Sequence, residues 1–214
     1  EPTDIAELWR ARLEQAIAAV GDAGRDQVRR SLELAAALGP HVDLEEWRAV
    51  CKRANVTADD DLYERLIREG LAWPKAQGWS FVHVLLVEEI ERQARAAGRW
   101  EKHNLHCAAT LAYLYADDNP RVQRRRVEHL LEAGRQEAAL EPTFELAEHY
   151  MRTEQYPRLA SSLELHRALM ARLNVPDSDR RRIKNRRLLA RSLIQRGDYD
   201  GAAREVAEIQ LGAK

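Results

Sequence analysis

The densest run of side chains able to do chemistry is basic: Arg180, Arg181, Arg182, Lys184, Arg186, Arg187 and Arg191. A guanidinium suits carboxylates and phosphates because its planar fork donates two parallel hydrogen bonds. On a helix, Arg180, Lys184, Arg187 and Arg191 form one stripe, and Arg182 and Arg186 lie nearer the apolar face of Ile183, Leu189, Ala190 and Leu193. Such a stripe is either a solvated face paired with neighbouring carboxylates or a grip on an acidic protein segment. In the second case Arg182 and Arg186 are the leading contacts, flanked by Arg180, Lys184 and Arg187, and an acidic peptide ranks ahead of nucleic acid.

Two further constellations have the residue types of a metal site. His103, His106 and Cys107 fall at i, i+3 and i+4 of one helix, near one face. A fourth ligand is not evident, and Cys107 suits the apolar face beside Ala108 and Leu111, so core packing is the expected role. The run Asp59–Asp61 fits the first turn of a helix, where the dipole favours acids; the glycine and glutamate of a calcium loop are missing. None of the ten glycines sits in a phosphate-binding Gly-Lys-Ser/Thr context, and there is no His-Arg-Asp or Asp-Phe-Gly element. The sequence therefore predicts no catalytic residues, no cofactor and no metal, and hence a non-enzymatic chain.

Composition sets the frame for these residues. In 214 residues, 45% are hydrophobic and 32% charged, enough apolar material for a core under a solvated surface. The 34 basic and 35 acidic side chains nearly cancel, so no global field recruits nucleic acid or an anionic membrane. Cys51 and Cys107 stand outside any CxxC spacing, which points to a reducing, cytoplasmic setting. Uncharged stretches such as Phe81–Val87 are too short to cross a bilayer, and no signal-peptide pattern opens the chain. Opening at Glu1 inside a running helix, the sequence reads as an excised part of a larger protein.

The positioning elements are almost all helical. A first amphipathic helix, capped at Thr3 or Asp4, aligns Ile5, Leu8, Trp9, Leu13, Ile17 and Val20 and stops at Gly21. A second runs from about Asp26 to Gly39-Pro40. Asp43 caps a third, and Thr57 a fourth that ends at Gly70. Leu71–Trp73 and Trp79–Val82, around a Gly-containing connection, then predict a small β-hairpin anchored by Trp73, Trp79 and Phe81. Three helices followed by a hairpin is the winged-helix order. From His83 onward the pattern is helical, with breaks about twenty residues apart at Gly98, Asn119-Pro120, Gly134, Glu154–Pro157, Asn174–Asp177 and Gly197–Asp200. Ala133–Ala138 and Arg196–Ala202 resemble each other as turns of tetratricopeptide-like hairpins. Such units stack because each exposes an apolar face that only its neighbour covers.

Four stretches together carry a family resemblance: Leu32–Gly39, Asp43–Trp47, Gly78–His83 and Gly98–His103. From about Ile5 to Leu140 the chain resembles the region just after the nucleotide-binding core of STAND-class signalling ATPases, particularly in large bacterial serine/threonine protein kinases. The resemblance implies a winged helix that connects an ATPase domain to tetratricopeptide-like repeats. It also implies that His83, in Phe81-Val82-His83, approaches nucleotide bound by a neighbouring ATPase domain in the parent protein; locally, His83 could equally begin a helix and satisfy backbone groups.

A winged helix raises DNA binding as the rival function. Its candidate reading helix, Thr57–Glu69, carries Asp59, Asp60, Asp61, Glu64 and Glu69 against Arg65 and Arg68, a balance that phosphates would repel. The expected fold is thus all-α with one small β-hairpin: a winged-helix-like segment with flanking helices over residues 1–98, then an α-solenoid of tetratricopeptide-like hairpins over 99–214. The expected role is protein interaction and regulation within a multidomain signalling protein.

Overall fold

The structure, a computed structural model, describes residues 2–18, 24–115 and 119–212, with side chains from residue 8 onward and excluding that of Asp60. Gly21 and Val20, and the side chains of Thr3, Asp4 and Ile5, lie outside what is described. Among the described residues there are eleven helices and three strands, and the chain divides into two compact units, Glu1–Ala116 and Asp117–Lys214. No helix among the described residues is long and apolar enough to cross a membrane.

The first unit runs α1 (Pro2–Ala18), α2 (Arg25–Leu38), β1 (His41–Asp43), α3 (Leu44–Arg53), α4 (Asp60–Arg68), β2 (Ala72–Lys75), β3 (Gly78–Phe81), α5 (Val84–Ala96) and α6 (Trp100–Leu114). From α2 to β3 this is the winged-helix order. Its sheet is larger than the hairpin that the sequence predicts, because β1 pairs antiparallel with β3 to give the strand order β1-β3-β2. A three-residue strand carries too little alternation to be read from sequence. Gly78 makes the pairing possible: a Cβ there would stand 2.0 Å from the Val42 carbonyl oxygen. Trp79 and Phe81 are buried as expected, with Trp79 packed edge-on against Trp47 at 4.9 Å between ring centroids. Trp73 is not an anchor; it is 60% exposed, since it points from the edge strand to the face opposite the core.

Capping follows the sequence at α3, where Asp43 accepts from the Glu45 and Glu46 amides, but not at α4. Asp59, not Thr57, caps α4, accepting from Asp61 N and binding Arg65 at 2.6 Å. The boundary expected at residue 98 also moves. Helix α6 packs on α2 and α3 in the first unit, because Trp100, Cys107 and Leu111 complete that core rather than starting the next array.

The second unit is α7 (Pro120–Glu132), α8 (Gln136–Arg152), α9 (Tyr156–Arg172), α10 (Arg180–Gln195) and α11 (Tyr199–Gly212). Asn119 and Pro120 start α7 as expected, by side-chain cap and fixed φ. Each helix packs on the next, and α8 also reaches α10. Left-handed residues end the helices, Gly134, Glu154, Asn174 and Gly197. Two apolar clusters hold the unit, one around Phe144, Ala147, Leu159 and Leu163 and one around Leu140, Leu169 and Met170.

Candidate functional site

The arginines singled out in the sequence are placed by α10, whose N-terminus Asp179 caps. They do not converge on an open site. Arg182 Nε donates to the Val175 carbonyl at 2.8 Å and lies 3.5 Å from Asp177, so it ties the α9–α10 connection to the start of α10. Arg186 binds Glu205 at 3.1 Å and Glu208 at 3.3 Å, both on α11. A backbone carbonyl for Arg182 and two carboxylates for Arg186 thus satisfy the two residues that the sequence favours as partner contacts. Arg180, Lys184 and Arg187 are exposed on the other side of the helix, and Lys184 stands over the Phe144 ring at 5.8 Å.

His83 is at the surface and is the N-cap of α5: its Nδ1 accepts from the Leu85 amide at 3.1 Å, and its ring stacks on Trp9 at 6.2 Å. The local role that the sequence allows is therefore realised. His103, His106 and Cys107 do not assemble a ligand set. His103 Nε2 meets Glu33 at 2.8 Å, Cys107 is fully buried in the core, and no group of three metal-ligating side chains occurs among the described residues.

The histidine belongs instead to a buried ionic network that sequence reasoning missed. Glu33 on α2, 1% exposed, receives Arg99 Nε at 2.8 Å and Nη2 at 2.5 Å, besides His103. Burial alone would raise the Glu33 pKa, but hydrogen bonds from Arg99 and His103 outweigh it and hold the carboxyl below its ordinary value. A second such centre is Glu89 on α5, gripped by Arg92 and Arg10; hydrogen bonding from Arg92, against a burial cost, draws its pKa down to about 2. Cys51 is inert, its thiol pushed up to about 12 by burial. Both networks tie helices of the first unit together, Glu33 and Glu89 being buried while Arg10 and Arg92 are about half exposed.

The second unit carries an open groove of about 890 Å³, with α7 and α9 as walls and α8 as floor. One wall presents Arg121 and Arg124, at i and i+3 of α7; the other presents Arg158, Ser161 and Ser162 of α9. Leu146 and Tyr150 rise from the floor, with Leu131 and Leu165 partly exposed at its edges. Arg158 donates to the neutral Gln155 oxygen at 2.9 Å and lies 5.9 Å over the Tyr150 ring. Arg124 reaches Glu128 only at 3.7 Å, both chains being well exposed. The run from Arg121 to Arg126 is visible in the sequence, but its facing partner on α9, some thirty residues on, is set by tertiary packing.

Comparison with family models, with curated proteins and with solved structures gave no match. The geometry alone must therefore support a functional reading.

Proposed function

We propose that this chain is a non-catalytic interaction and regulatory module of a multidomain signalling protein of the STAND ATPase or serine/threonine kinase type. In this reading the second unit is a tetratricopeptide-like array that holds a segment of a partner protein, and the winged helix transmits state between neighbouring domains. The observation that carries it is the groove over α8: open, floored by leucine and tyrosine and lined by polar side chains. Shallow apolar floors with polar rims suit peptide recognition more than chemistry on a small molecule.

The rival reading, a DNA-binding regulator, finds no support on α4. Its exposed positions include Asp61, Glu64 and Arg68, Arg65 is occupied by Asp59, and Leu62 and Leu66 are buried in the core. A helix with this surface opposes phosphates. Within the parent protein His83 remains the residue through which an adjacent ATPase domain would be sensed, since it is exposed beside Trp9.

The test is a titration of the chain against a peptide array of graded charge and hydropathy and against duplex DNA at physiological salt. Saturable peptide binding that is reduced at least tenfold by Leu165→Glu is expected. Tight duplex binding without peptide binding, or ATP turnover that copurifies with the chain, would overturn the reading. In the full-length parent, His83→Ala should change basal signalling while the isolated chain stays folded.

A further inference from the structure

We infer that the groove over α8 docks an acidic amphipathic helix of a partner protein. This rests on the interaction-module reading and adds the chemistry and shape of the occupant.

Charge decides the chemistry. Arg121 has no ion pair with any described residue, and the contacts of Arg158 are to a neutral amide and an aromatic ring. Arg124 has one carboxylate at 3.7 Å in an exposed geometry that offsets little of its charge. Glu128 is the sole acid of the lining, and neither Arg121 on one wall nor Arg158 on the other has a carboxylate partner. Complementary anions would meet guanidinium forks on each side.

The placement of charge decides the shape. Apolar side chains occupy the floor, through Leu146 and Tyr150, while the cations stand on the two walls. A ligand that matches this pattern needs an apolar stripe flanked on both sides by acids. An α-helix has that layout, because anchors at i, i+3, i+4 and i+7 form a stripe with polar positions on either flank. An extended strand does not, since its second set of side chains points away from the floor.

Nucleic acid fits less well. Single strands are held by aromatic faces open to base stacking, and the one aromatic ring in the lining, Tyr150, is buried and approached by Arg158.

The experiment uses the whole chain and three labelled peptides of one helical design: a leucine stripe flanked by glutamates, the same with glutamines, and the same with lysines. Fluorescence anisotropy should show saturable binding of the glutamate peptide, at least tenfold tighter than the glutamine peptide and weakened by added salt. Arg121→Glu with Arg158→Glu should weaken the glutamate peptide at least tenfold and strengthen the lysine peptide. That exchange is a result no loss of fold produces, and far-UV circular dichroism of the double variant should be unchanged. Glutamate and glutamine peptides bound alike, or a double variant without effect, would overturn this inference and leave the module reading standing. No peptide bound at all would remove both, and preferential binding of a single-stranded oligonucleotide would replace the occupant.

Discussion

Replacing Glu33 by Gln should destabilise the first unit by about 3 kcal/mol. The carboxylate is buried and receives two hydrogen bonds from Arg99 and one from His103, bringing together α2, the α5–α6 turn and α6. An amide in its place has one acceptor oxygen for three donors and no charge to balance the guanidinium. Breaking a buried pair from one side costs roughly 3–5 kcal/mol. Arg99 is 30% exposed and keeps some water when stranded, which sets the expectation at the lower end. Such a loss lowers the folded-to-unfolded ratio by about two decades and the midpoint temperature by about 10–15 °C for a domain of this size. The assay is direct because all five tryptophans, Trp9, Trp47, Trp73, Trp79 and Trp100, lie in the first unit, so selectively excited tryptophan fluorescence follows that unit alone. A triple variant, Glu33→Met with Arg99→Met and His103→Leu, removes every partner at once and should recover to within about 1 kcal/mol of the parent. A Glu33→Gln transition displaced by less than about 1 kcal/mol, or a triple variant as unstable as the single, would refute this account of the network.

His166, buried between Phe144 and Asn185, has its pKa lowered to about 4 by burial and then by Arg181, so the native state holds it neutral. The unfolded chain binds its proton first; stability contributed by this group is complete above about pH 6.5 and falls by up to about 3 kcal/mol as pH drops to about 4. Far-UV melts across that range should show this loss in the parent and not in His166→Phe. Gly78→Ala should cost at least about 2 kcal/mol by fluorescence-detected unfolding, because its Cβ would collide with the Val42 carbonyl in the paired strand. Arg182→Ala with Arg186→Ala should lower the stability of the second unit by about 1–3 kcal/mol, through the lost bonds to Val175 and to Glu205 and Glu208; an unchanged far-UV melting curve would count against internal roles for the pair.

What the sequence determined by itself was local. Helical periodicity, Asn119-Pro120, Asp43 and the recurring left-handed turns specify where helices begin and end, since capping and backbone strain act within a few residues. The paired aromatic runs around Gly78 revealed the hairpin for the same reason. Tertiary packing alone decided everything that joins distant residues. The strand His41–Asp43 exists through its partner almost forty positions later, and α6 joined the first unit because Trp100 and Leu111 found a core there. Thr57 lost its expected capping role to Asp59, which also engages Arg65. In one dimension Arg182 and Arg186 border an apolar face and could either pair with neighbouring carboxylates or grip an acidic segment; the fold delivers a carbonyl and two glutamates to them. Arg121 and Arg158, by contrast, are brought to opposite walls of one groove whose lining holds a single carboxylate, that of Glu128. A helical sequence sets which side chains share a face, whereas the choice of which faces meet depends on burying apolar surface between elements far apart in the chain.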